Sequence, residues 1–180
     1  MKSIAALLSS FILAHAHTTL DLKVAHQTAP IGVDDATPRF SWRMESDRNG
    51  LAQTGYQILV ATSEGKLSPG AADLWDSGRV ESTVTTAAYA GAPLPSSAWL
   101  HWKVRTWAES GASEWSAPQS FLTGRIGGQP AQPFISFKDN TPFHKERAKL
   151  QLPPARYFRA TFKPEKKIAS AIAHATALGI

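Results

Sequence analysis

Three sets of residues in this 180-residue sequence are of types that do chemistry. The first is His17, His26 and His101. Cleavage of a leader after Ala16 would make His17 the N-terminus, where the free amine and the ring chelate copper and a second histidine, His26 or His101, completes the site. The second set is carboxylate, in the close pairs Asp34–Asp35 and Asp73–Asp76. Glycoside hydrolysis needs two carboxyl groups about 5 to 9.5 Å apart across a cleft. In an extended segment Asp34 and Asp35 point to opposite faces, and in turns such as DLWDSG, residues 73–78, Asp ordinarily accepts from nearby backbone N–H groups. The third set is aromatic. The stretch LHWKVRTWAESGASEWS, residues 100–116, holds Trp102, Trp107 and Trp115, and Trp99 precedes it. An exposed indole is a stacking surface for a sugar ring, and Trp99 and Trp107 are the candidates for carbohydrate contact. Beyond these, the sequence offers no catalytic residue, cofactor site or metal site: it lacks G-x-S-x-G, H-E-x-x-H and a phosphate-binding Gly loop, and has no cysteine.

The elements that would position these residues read as strands. TLDLKV sets Leu20, Leu22 and Val24 on one face against Asp21 and Lys23. PRFSWRM sets Phe40, Trp42 and Met44 against Arg39, Ser41 and Arg43, and GYQILVAT groups Tyr56, Ile58 and Val60. Period-two alternation, aromatic and β-branched enrichment and breaks such as RNG, SPG and DSG are strand-and-turn chemistry. In LHWKVRT, Leu100, Trp102, Val104 and Thr106 face one way, and His101, Lys103, Arg105 and Trp107 the other. AESGA turns the chain and EWSAPQSFLTG returns it, with Pro118 marking an edge or a bulge. Trp102 is then a core residue, Trp115 packs near the strand entrance, and Trp107 covers the stems of Arg105 and Lys103.

The fold class is all-β: an immunoglobulin/fibronectin-type III-like antiparallel sandwich over residues 18–124. GRIGGQPAQP opens a linker over 125–154. Residues 155–180 read as the start of a second β-sandwich, incomplete at Ile180. PARYFRATFKP predicts a strand around Tyr157, Phe158 and Phe162. The alternation of Ile168, Ser170, Ile172, His174, Thr176 and Leu178 with alanines predicts another.

Bulk properties narrow the function classes. MKSIAALLSSFILAHA, residues 1–16, has a basic start, an apolar centre and small residues before a cleavage point, which predicts a secretory signal peptide and an extracellular protein. No run approaches eighteen uninterrupted apolar residues, so no membrane partner is expected after cleavage. The net charge of +5 is uneven: residues 1–124 hold nine Lys/Arg and eleven Asp/Glu, and 125–180 hold ten and three. The basic residues of the second part are interleaved with Pro and acidic residues, the pattern of a solvated surface and not of a nucleic-acid-binding face.

Taken in order, LKVAHQTAPIGVDDATPRFSWRMESDRNGLAQTGYQILVAT, DLWDSGRVES and YAGAPLPSSAWLHWKVRTWAESGASEWSAPQSFLTG resemble the N-terminal fibronectin-like domain of bacterial-type α-L-rhamnosidases, also found in fungi. PARYFRATFKPEKKIASAIAHATALGI resembles the opening of the next β-sandwich in those enzymes. Leu100-His101-Trp102 departs from the family's Y-x-W, at what reads as a half-buried strand position. The resemblance implies a non-catalytic scaffold region of a glycoside hydrolase that releases terminal L-rhamnose with inversion. The family's acid and base lie far downstream, so no catalytic residue carries over to this chain. The implied partners are the catalytic domain of the same polypeptide and rhamnosylated glycosides. The alternative is a stand-alone carbohydrate-binding or adhesion module, or a gene fragment without an independent role.

Overall fold

A computed structural model describes residues 17–128, 157–168 and 171–173. The chain divides into two compact units, Met1–Gly128 and Gln129–Ile180. The expected leader, and the linker from residue 129 on, lie outside the described residues.

In the first unit the strands are β1 (His17–Val24), β2 (Ile31–Val33), β3 (Arg39–Ser46), β4 (Gln53–Ala61), β5 (Trp75–Asp76), β6 (Val80–Glu81), β7 (Thr86–Ala88), β8 (Trp99–Ala108), β9 (Gly111–Ala112) and β10 (Gln119–Thr123). One sheet runs β1-β3-β7 and the other β2-β10-β8-β4-β5, with β6 also on β4 and β9 also on β8. All pairs are antiparallel except β2 with β10. The chain changes sheets between β1 and β2, so its N-terminal part covers an edge of each, which removes open ladder positions. This is the expected sandwich.

The inward faces interdigitate as alternation requires. Leu100, Val104 and Thr106 of β8 are fully buried, as is nearly all of Trp102. Phe40 meets Trp102 edge-on with centroids 4.6 Å apart and Phe121 at 5.8 Å. Polar groups inside are paired, as burial demands. Trp42 Nε1 donates to Gln53 Oε1 at 2.8 Å, and Gln53 Nε2 donates to the carbonyls of Ser82 and Val84. The Thr19 and Thr106 hydroxyls meet between the sheets at 3.1 Å. The Tyr89 hydroxyl donates to the carbonyls of Leu74 and Ala92, tying two loops to the core. Burial, aided by the Asp73 charge, pushes that phenol up to about 12.

Three local expectations need correction. In β1 the register slips between Leu20 and Lys23, where Asp21 has a φ of 54°. His17 and Thr19 are buried before the slip, and Leu22 and Val24 after it. Leu20 is therefore off the face it was expected to share, because an extra residue inverts the side-chain phase. Position 100 is wholly buried, not half-buried. The return to β10 is also irregular over residues 113–118. There Ser113 and Ser116 donate backbone N–H groups to Thr106 O and Val104 O, and their hydroxyls accept from the N–H groups of those same residues. Hydroxyls thus replace part of a ladder that the chain does not form.

In the second unit no strand occurs over 157–168 or 171–173. Tyr157 and Phe162 are 88% and 86% exposed, and Phe158, Ile168 and Ile172 are exposed as well. This corrects the strand expected around Tyr157, Phe158 and Phe162. The rest of the terminal alternation lies outside the described residues.

Candidate functional site on the outer face of the second sheet

The outward side chains of β8 are Trp99, His101, Lys103, Arg105 and Trp107, alternating with the buried set. Trp99 and Trp107 are eight residues apart on one strand, a separation of about 27 Å, so they form no common platform. Their surroundings also differ.

Trp107 belongs to a stack of rings and cations. Arg105 lies 4.7 Å from the centroid of Trp107 and 4.7 Å from that of Trp115, Arg79 lies 5.0 Å from Trp107, and Lys103 lies 5.0 Å from Trp115. The order along the face is thus Arg79, Trp107, Arg105, Trp115, Lys103. Trp107 was expected over Arg105 and Lys103; it takes Arg105, while Lys103 goes to Trp115. Trp115 lies near the entrance to β10, whose first residue Gln119 pairs with Trp102, and it packs on the outer face beside Leu59, Ala61 and Leu67. The irregular segment with its two serines turns Trp115 outward, which simple alternation from Pro118 does not reveal. Burial, and next the Arg105 charge, pull the Lys103 ammonium below its ordinary value.

Behind the stack runs a hydrogen-bonded chain. Arg105 Nε and Nη2 donate to Gln57 Oε1 at 3.1 and 2.8 Å, and Gln57 Nε2 donates to Asp76 Oδ1 at 2.6 Å. Asp76 also accepts from the N–H groups of Gly78 and Gly70. Burial raises the Asp76 pKa, but the bonds from Gln57, Gly78 and Gly70 and the Arg105 charge outweigh it, and the net shift is downward.

The other candidate carboxylates hold loops. Asp73 accepts from Thr62 N at 2.9 Å, Thr62 Oγ1 at 2.6 Å and Lys66 Nζ at 2.6 Å. The Lys66 and Thr62 bonds hold its pKa far below the usual carboxylate range. Asp35 accepts from Thr37 N, and Asp34 accepts from the distant Arg125 N, each at 2.8 Å. An open depression beside the β3–β4 turn, lined by Arg43, Glu45, Arg48 and Asn49 among others, presents one carboxylate, Glu45. It has no second carboxyl for the two-carboxylate reaction.

The histidines are not brought together. His17 is buried at the start of β1, with Nδ1 3.4 Å from Ser110 Oγ and Nε2 buried and unpaired. His26 is beyond the other end of that strand, about 20 Å along it. His101 is on the outer face of the opposite sheet, paired with Ala61 and Ser120. Among the described residues no cluster of three or more His, Asp or Glu is placed to hold a metal.

Two packed sheets in this strand order, with carboxylates that fasten loops, define an immunoglobulin-like sandwich. Residues 19–127 match the family model described as the Rha78A-like, N-terminal immunoglobulin domain, and the chain belongs to that family. It is 45% identical over 106 residues to an α-L-rhamnosidase of Streptomyces avermitilis, covering 58% of this chain and 10% of that protein. An α-L-rhamnosidase of Formosa agariphila is 31% identical over 164 residues, covering 84% of this chain and 16% of that one. Among solved structures, the Streptomyces avermitilis α-L-rhamnosidase complexed with L-rhamnose superposes with a TM-score of 0.57 at 42% identity, over 61% of this chain and 11% of that chain. The chain thus spans a tenth to a sixth of the length of the relatives it matches.

Proposed function

We propose that the chain is the non-catalytic scaffold region at the N-terminus of an exported α-L-rhamnosidase-like glycoside hydrolase. The observation that carries this reading is the family match across the whole sandwich. The bonding of Asp34, Asp35, Asp73 and Asp76 agrees with it, since each is engaged in holding a turn or loop. The rest of the polypeptide would supply the acid and base and release terminal L-rhamnose from rhamnosylated glycosides. Export rests on the composition of residues 1–16.

The test is an assay of the purified chain on p-nitrophenyl α-L-rhamnopyranoside, with sequencing of the transcript through codon 180 and of the secreted N-terminus. No nitrophenol release, a reading frame that runs on and a start near His17 are the expected results. Turnover by the chain alone would overturn the scaffold reading. A second reading, a carbohydrate-binding module, is favoured by one observation: Trp99 is 43% exposed. Saturable quenching of tryptophan fluorescence by L-rhamnose, absent in Trp99→Thr, would establish that reading instead.

A further inference from the structure

Three large apolar side chains of the first unit are well exposed among the described residues: Ile31 at 73%, Val84 at 56% and Trp99 at 43%. Two of them share one row across the second sheet. Leu122 of β10 pairs with Ile31 of β2 on one side and with Trp99 of β8 on the other. Its neighbour Phe121 points into the core, so Leu122 and the residues opposite it face outward. Two strand spacings put Ile31 and Trp99 about 10 Å apart. Leu122 is between them, only 2% exposed. The row differs from the rest of the outer face, where cations cover the rings of Trp107 and Trp115.

The row also borders the point where the chain leaves the sandwich. Immediately after Leu122 and Thr123, Gly124 donates to Val33 O and accepts from Ser97 N, each at 2.8 Å. Arg125 N is held by Asp34, and Ile126 O accepts from Ser96 Oγ. Residues 124–126 are therefore fastened to the sandwich beside the row. A tethered neighbour has an effective concentration in the millimolar range, so a small apolar patch suffices to hold it.

We propose that the outward row Ile31–Leu122–Trp99 is the surface on which the sandwich docks against the body of the longer rhamnosidase polypeptide. This rests on the reading that the sandwich belongs to such a polypeptide. The two relatives are roughly six to ten times longer than the region matched, so in each of them a large neighbour is tethered to this domain. Permanent interfaces are more apolar than the rest of a protein's surface.

The experiment grafts this sandwich onto the Streptomyces avermitilis α-L-rhamnosidase in place of its own matching region. The graft is compared with its Ile31→Thr/Trp99→Thr double variant, which keeps β-propensity, and with Val84→Thr as an off-row control. The full chain carrying the same substitutions is melted in parallel. The expected result is that the graft is active and melts as one transition, and Val84→Thr leaves this unchanged. In the double variant the sandwich transition separates by about 5 °C or more, while the isolated chain's own melting temperature is unaltered. An active graft whose double variant still melts as one transition overturns the docking row and leaves the family role standing. A graft that neither folds nor turns over, from a chain that folds by itself, overturns both. Saturable L-rhamnose binding lost in Trp99→Thr makes the row a sugar platform and overturns docking.

Discussion

The two faces of β8 solve the same stability problem by different physics. Inward, Leu100, Trp102, Val104 and Thr106 are stabilised by exclusion of water and close packing against Phe40 and Phe121. Outward, Arg79, Trp107, Arg105, Trp115 and Lys103 are held by cation–ring attraction and by the Gln57–Asp76 chain, at partial exposure. On the inner face any change of volume is costly. On the outer face the cost of a change rises with the number of partners a side chain has, and Trp99, at the end of the row, is open. A tryptophan's identity therefore says little about its role here; its place on the strand decides it.

The sharpest test of this contrast is Trp102→Ala, expected to cost about 3–5 kcal/mol of unfolding free energy in urea melts, the range for large core aromatics. Arg105→Ala removes a guanidinium from two rings and leaves Gln57 Oε1 without its donor. Its expected cost is about 1–2 kcal/mol. Lys at that position should restore only part, because an ammonium cannot reproduce the planar fork. If Arg105→Ala costs as much as Trp102→Ala, the distinction between the faces is wrong. Asp76 supplies a pH-dependent measure. Its carboxyl pKa is lower in the folded protein, so its contribution is complete above the unfolded value, near 3.8, and is lost as pH falls through the folded value. Asp76→Asn should flatten the acid side of the stability profile, from about pH 5 downward, read as denaturation midpoint against pH. Smallest of all, Trp99→Thr should change the stability of the chain by less than about 0.5 kcal/mol. A larger loss would show that Trp99 is part of the packed structure.

Much of this was legible in the residues. The period of two in LHWKVRT gives both faces of β8 correctly, and the ordered motifs give the sandwich and its family. Legibility fails where a ladder is interrupted. The slip between Leu20 and Lys23 inverts the phase of β1, and the irregular 113–118 segment turns Trp115 outward. Both depend on hydrogen bonds to distant strands, which local alternation cannot register. The candidate surface was half legible: Trp99 stood out as an aromatic, but its apolar neighbours arise because the chain crosses sheets and lays Ile31 beside Leu122. Asp34 reads locally as a turn acceptor, whereas its partner is ninety-one residues away.

The parallel pairing of β2 with β10 has a mechanical consequence. Leu122 N, Gly124 N and Arg125 N bond to Pro30 O, Val33 O and the Asp34 carboxylate at 2.9, 2.8 and 2.8 Å, side by side along the same direction. Tension that pulls on the chain beyond Gly128 against the start of β2 loads these three bonds together, in shear, and not one after another as in a zipper. The β2–β10 seam therefore resists a pull applied along the strands better than one applied across them.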